Sequence, residues 1–238
     1  MSRWLTTVRL VLAGVTTLAG VAPTALAADR PTIAAEPVVP VLCVHGIDDT
    51  SQTIAPVVRA LRAAGWPEVT ACDMVPSNGD AGIAVLAGQV QMAAQALRQR
   101  TGAARIDVVA FSMGALVSRY WIQRLGGRDE VRRFVSISGP HHGTITAYTR
   151  WNDGGRDMRP DSALLADLAR DPQPWGQVDV YTLWTPFDLM IVPASSGHLD
   201  GAHETIVPVP IHPWMLWSAK VHAGIISALR APEASRRD

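Results

Sequence analysis

The stretch Ile106-Asp107-Val108-Val109-Ala110-Phe111 reads as a strand and Gly114-Ala115-Leu116-Val117-Ser118-Arg119 opens a helix, so Ser112 sits where strand must turn sharply into helix. No other feature constrains the chain as much. Side chains two positions either side of such an apex would collide, and Ala110 and Gly114 are small enough to avoid it. The usual spacing is G-x-S-x-G, and the A-x-S-x-G found here is the smallest departure from it. The turn puts Ser112 at the carboxyl edge of a sheet and at a helix N-terminus, where amide N–H groups stabilise developing negative charge. An isolated Ser-x-Gly would read as an N-cap. With a strand before it and small residues around it, Ser112 reads as a nucleophile.

The rest of the chain repeats the strand-then-helix rhythm of β-α-β units. Val38 to Val44, Val69 to Val75, Ile106 to Phe111, Phe134 to Ser138, Val180 to Trp184 and Thr205 to Val209 read as strands. Ile54 to Ala64, Ile83 to Gln99, Ala115 to Leu125, Ser162 to Leu168 and Trp214 to Leu229 read as helices. The expected fold is α/β, a mostly parallel central sheet of about six strands flanked by helices. Residues 38–230 are expected to form a single domain, with a flexible leader at 28–37 and a flexible tail at 231–238. Between Gly139 and Gly176 the rhythm breaks, with seven Gly and Pro residues between Pro140 and Pro174 and one short helix. Excursions of that length are usually functional, and 139–176 is expected to cap the mouth of the site.

Arg3 and Arg9 precede an apolar run from Leu10 to Ala22, and Ala25-Leu26-Ala27 supplies small residues where a signal peptidase reads them. Residues 1–27 are therefore expected to be a cleaved signal peptide and the mature protein to be secreted. The run is too short and too diluted by Thr and Gly for a membrane span. Export permits disulfides, and Cys43 and Cys72 lie in two expected strands. If those strands are neighbours and both side chains share a face, backbones about 4.8 Å apart allow a bridge; otherwise the two are buried free thiols. Lys plus Arg and Asp plus Glu each total 21, leaving no field to attract nucleic acid or a polyanionic substrate.

A serine attacking a carbonyl creates an oxyanion that needs at least two N–H donors, one from the residue after the nucleophile. Met113 fills that place. Val41-Leu42-Cys43-Val44 runs into His45-Gly46-Ile47, where Gly46 allows a close turn and leaves the Ile47 N–H as second donor. His45, adjacent to Gly46, suits a loop-shaping role better than that of a base. Together, Val44-His45-Gly46-Ile47, Ala110-Phe111-Ser112-Met113-Gly114 and Ser138-Gly139-Pro140-His141-His142-Gly143-Thr144 resemble the corresponding blocks of small secreted bacterial triacylglycerol lipases, the compact branch of the α/β-hydrolase fold. The similarity runs from about Val38 to the final helix. Phe111 stands where that family commonly has His.

The hydroxyl of Ser112 needs a His base held by a carboxylate, and in α/β-hydrolases both follow the serine, acid first. Asp188 lies just past the strand Tyr181-Thr182-Leu183-Trp184, ahead of Leu189-Met190-Ile191-Val192-Pro193, which resembles the lipases' loop after their acid. Asp179 sits at the wrong strand end, and Asp200 reads as a turn former beside Gly201. Of His198, His203, His212 and His222, only His212 falls between the last expected strand and the last helix, and its spacing from Leu199-Asp200-Gly201-Ala202 matches the lipases. His203, before that strand, is its main competitor.

The expected reaction is hydrolysis of an acyl ester or lipid through an acyl-serine, without metal or organic cofactor. His141 and His142 are adjacent and point apart on an extended chain, with no suitably spaced carboxylate. Phe111, Leu189, Ile191 and Trp214 are expected to line the substrate, and Ile145, Trp151 and Leu216 lie near the same mouth. A monomer in transient contact with a lipid interface is expected. An acyltransferase or thioesterase would use the same triad, and a non-catalytic lipid-binding protein is the alternative from another class.

Overall fold

The computed structural model describes residues 39–232. The expected signal peptide and leader, and most of the expected tail, lie outside the described residues. Six parallel strands form one sheet: β1 (Val41–Val44), β2 (Val69–Cys72), β3 (Ile106–Phe111), β4 (Val131–Ile137), β5 (Asp179–Trp184) and β6 (His203–Ile206), in the order β2-β1-β3-β4-β5-β6. Because the chain moves outward from β1 to β2 and then in the opposite direction from β3, the connections leaving β1 and β3 part company at their carboxyl ends. That crevice is where an open parallel sheet offers a site. The His45-Gly46-Ile47 loop and Ser112 both fall there.

Side chains alternate across each strand, so each strand feeds two cores. Leu42, Val44, Val108 and Ala110 pack with α2 (Ile83–Thr101) and α3 (Met113–Arg124). Val41, Cys43, Val109, Phe111 and Val135 pack on the other face with α1 (Ala55–Ala63) and α7 (Ala219–Arg230). Burial on both faces explains why the central strands read as apolar runs without alternation. A short helix, α4 (Gly127–Glu130), leads into β4.

Two expectations are corrected and one open alternative is decided. The last strand ends at Ile206 rather than Val209, because Pro208 and Pro210 have no N–H to give a ladder. The 139–176 excursion holds three short helical turns rather than one: a 3-10 turn at Ile145–Thr149, α5 (Asp153–Asp157) and α6 (Ala163–Ala169). Cys43 and Cys72 are free thiols although β1 and β2 are neighbours. The register pairs Cys43 with Ala71 and Cys72 with Val44, an offset of one residue that sends the two side chains to opposite faces. Burial pushes the Cys72 thiol up to about 12 and raises that of Cys43 as well.

Candidate active site

The turn after β3 puts Ser112 at φ +55° and ψ −128°, a region non-glycine residues avoid and that stores strain. The strain is over-determined by its surroundings. The Ser112 N–H donates to the Ile137 carbonyl of β4 at 2.9 Å, and its own carbonyl accepts from Ala115 N–H at 2.9 Å. Gly114 lies so close to β1 that a Cβ there would stand 2.1 Å from the His45 carbonyl oxygen. The small residue after the serine is thus required by the contact between helix α3 and the end of β1.

His45 is fully buried. Its Nε2 accepts from the Met74 N–H at 3.0 Å, so Nδ1 carries the proton and donates to the Gly46 carbonyl at 2.8 Å. The Gly46 C=O and Ile47 N–H belong to one planar peptide unit. A hydrogen bond that fixes the first therefore orients the second, which gives the loop-shaping role expected of His45 a specific form. Gly46 N–H in turn donates to Asp49 Oδ2 at 3.2 Å. Burial holds the Asp49 carboxyl above the usual carboxylate range, against the opposing pull of His45. A Cβ on Gly46 would come within 3.0 Å of Ser112 Cβ, which places this loop directly beside the serine. Among the described residues, neither the Ile47 nor the Met113 N–H meets an acceptor.

Asp188 and His212 are both buried, with Asp188 Oδ2 2.6 Å from His212 Nδ1. The other Asp188 oxygen accepts from the N–H groups of Met190 and Ile191 at 2.9 and 2.8 Å, so the carboxylate is held by the turn that follows it. His212 Nε2 has no protein partner among the described residues. The Phe111 ring packs against the imidazole at 4.6 Å between centroids, and Phe111 is the residue before Ser112. The free ring nitrogen, the strained serine and the two unpaired N–H groups thus come from three loops that follow β1, β3 and β6.

Other expected residues fall elsewhere. His203 opens β6 and stacks on Tyr181 at 4.9 Å, at the sheet end away from Ser112. His198 is held by Glu204 and Asp200 at 2.8 and 3.3 Å, and His222 contacts the Leu216 carbonyl at 2.8 Å. Asp179 faces Arg133 at 3.8 Å. Of the side chains expected against substrate, Leu189 and Trp214 are 78% and 54% exposed. Phe111 and Ile191 are buried. Phe111 backs the His212 ring, and the turn that delivers the Ile191 N–H to Asp188 draws that residue inward. Ile145 and Trp151 are exposed, whereas Leu216 is buried.

Some supports have no local sequence signal. The buried Thr185 hydroxyl donates to the Val209 carbonyl at 2.6 Å and accepts the Val209 N–H at 3.2 Å, which ties the loop carrying Asp188 to the loop carrying His212. Behind Ser112, the Pro-His-His-Gly segment is bound by buried Arg119, whose Nη1 donates to the His141 carbonyl at 2.8 Å. The His141 Nε2 is 2.7 Å from Ser136 Oγ. Burial, with the Arg119 charge adding to it, holds this ring well below the usual imidazole range. The His141 ring is therefore part of the scaffold.

A model of the palmitoyl protein thioesterase family matches residues 40–185. The chain belongs to the palmitoyl protein thioesterase family. The segment that carries this family's pattern includes Ile47, Ser112 and Met113 and stops short of Asp188 and His212. Solved structures resemble the chain more broadly. The mature form of a Bacillus licheniformis lipase superposes with a TM-score of 0.69 at 15% identity, covering 83% of this chain and 96% of that one. An esterase of Pyrococcus furiosus gives 0.58 at 16% identity over 81% and 82%, and Aspergillus fumigatus lipase B gives 0.66 at 15% over 82% and 53%. This thioesterase-family chain thus has the α/β-hydrolase fold seen in lipases and esterases.

Proposed function

We propose that the chain is an exported serine hydrolase that cleaves acyl esters through an acyl-serine intermediate. The observation that carries this reading is the 2.6 Å Asp188–His212 contact, which leaves His212 Nε2 unpartnered while its ring packs on Phe111, the residue before strained Ser112. In this reaction Ser112 Oγ attacks the ester carbonyl while His212 Nε2 takes its proton, and the Ile47 and Met113 N–H groups hold the oxyanion. The intermediate collapses, the leaving oxygen takes the proton from His212, and the alcohol departs. Water then attacks the acyl-serine with His212 again as base, releasing the carboxylic acid and free serine. Phe187, Leu189, Met190, Ile211 and Trp214 flank the acid and the base in sequence and are exposed, which suits a lipid or acyl-chain substrate and transient contact with a lipid interface. Secretion rests on the N-terminal pattern of Arg3, Arg9 and the apolar run that follows.

A second reading, hydrolysis of acyl thioesters, is favoured by the family match over 40–185. It uses the same groups, with a thiol in place of the alcohol as leaving group. The test of both is one substrate panel: p-nitrophenyl esters from acetyl to long acyl, emulsified triacylglycerol, and a long-chain acyl thioester, each with the wild type and with Ser112→Ala, Asp188→Asn and His212→Gln. Loss of turnover in all three variants with retained folding is expected. An unchanged rate in Ser112→Ala would overturn the assignment, and the preferred substrate decides between ester and thioester.

A further inference from the structure

The excursion over residues 139–176 is bound to the loop that carries the Ile47 N–H, and the bond falls on the residue next to that donor. Asp48 follows Ile47 and adopts φ +59°, a left-handed conformation that Asp tolerates better than most residues but does not prefer. Its N–H donates to the Ser77 carbonyl at 3.0 Å. Its carboxylate faces the guanidinium of Arg150, with Nη1 3.4 Å from Oδ1 and Nη2 bonded to Oδ2. Such two-pronged pairing fixes orientation as well as distance.

Arg150 is a rigid arm rather than a free surface side chain. Its N–H donates to Ala147 O at 3.1 Å, and its carbonyl accepts from Arg159 Nη2 at 2.9 Å. The next turn packs so tightly on it that a Cβ at Gly155 would lie 2.6 Å from Arg150 Cβ. Nη1 also donates to the Asn78 carbonyl at 3.0 Å, which Asn152 Nδ2 shares at 3.0 Å. Gly154 N–H reaches Gly79 O at 2.8 Å, and Asp157 accepts from Ile83 N–H at 2.8 Å. The excursion is thus bolted to the segment between β2 and α2, and from that base Arg150 grips Asp48.

We propose that Arg150 and Asp48 form a latch that holds the Ile47 N–H in place for acyl transfer, making both positioning residues and coupling the excursion to the reaction. The proposal rests on the serine reading above. A half-exposed ion pair contributes little to global stability, so the signature of the latch is a change in rate without a matching change in melting temperature. Removing an oxyanion donor outright lowers kcat by about 10² to 10³. Loosening one, rather than deleting it, is expected to lower kcat by about tenfold, with KM for a short soluble ester little changed because the donor acts on the transition state.

The experiment compares wild type with Arg150→Ala, Arg150→Lys and Asp48→Gly. It uses p-nitrophenyl acetate turnover, the rate of Ser112 labelling by a fluorophosphonate, and thermal melting, each at low and high NaCl. Asp48→Gly keeps the backbone conformation available but removes the grip, so it should fall with Arg150→Ala, while Arg150→Lys recovers part of the rate. Wild-type turnover should decline with salt and that of Arg150→Ala should not. Wild-type kcat and labelling rate in Arg150→Ala and Asp48→Gly would overturn the latch. A wild type that the fluorophosphonate does not label would overturn the serine reading and the latch with it. Equal losses of rate and melting temperature in all three variants would make the pair merely structural.

Discussion

Gly114→Ala is the substitution that tests the site's geometry most directly. The added Cβ would meet the His45 carbonyl oxygen at 2.1 Å and the Val44 carbonyl oxygen at 3.0 Å, well inside an ordinary contact of about 3.5 Å in the first case. Neither obstacle is a flexible side chain. Helix α3 must withdraw from the end of β1, and the two N–H donors, Met113 on the helix and Ile47 beyond His45, then move apart. Overpacking typically costs 1–3 kcal/mol, and backbone on both sides of the clash places this case at about 3 kcal/mol. For a domain of this size that corresponds to a fall in Tm of about 6–12 °C. A misplacement near 1 Å at a reacting centre can cost about 100-fold in rate, so kcat should fall much further than stability alone requires. Differential scanning calorimetry and turnover of p-nitrophenyl butyrate measure the two effects. A variant that melts within two degrees of wild type and keeps half its kcat would refute the claim that this contact sets the site.

His45→Ala leaves the Met74 N–H and Gly46 carbonyl unpaired, at about 1–3 kcal/mol each. Urea denaturation should show that loss, and kcat should drop at nearly constant KM; an unchanged kcat would separate His45 from the Ile47 donor. His141 sets an acid limit: its folded pKa lies below the unfolded value of about 6.5, so the unfolded chain binds more protons and stability falls as pH drops below about 6.5. His141→Asn should flatten that acid slope between about pH 7 and pH 5, leaving the share of His142, which burial shifts the same way; an unaltered slope would count against it. Finally, Ellman titration of the unreduced protein should find both thiols unreactive when native and both reactive in guanidinium, whereas none in guanidinium would mean a bridge and a different β1–β2 register.

The parts of this fold that could be read from the sequence are those with a local physical cause. Ile83–Thr101 is recognisable because a long helical run stops at Gly102, which takes φ +70°, and β3 because both its faces are buried. Elsewhere local signals mislead. Val207 and Val209 read as strand, yet the prolines beside them end the ladder, while β6 itself is an exposed edge with no apolar alternation to reveal it. Gly154 and Gly155 read as loop but lie in α5, and glycine is needed at 154 because a Cβ there would stand 2.9 Å from Gly79. At the site, Ser112 and Ile47 announce themselves through tight turns. Thr185 and the Arg150–Asp48 pair do not, since each acts on a partner distant in sequence and only the folded chain brings them together.

The hydroxyl of Thr185 also has a bearing on how such a protein can vary. By clamping the start of the acid loop to the start of the base loop, it adds a tie between Asp188 and His212 that does not run through the exposed edge strand. Natural drift or deliberate grafting among the exposed side chains of His203–Ile206 can therefore reshape this edge of the molecule while Asp188 and His212 keep their spacing. Adaptability and chemistry are assigned to separate stretches of chain, with a buried hydroxyl among the ties between them.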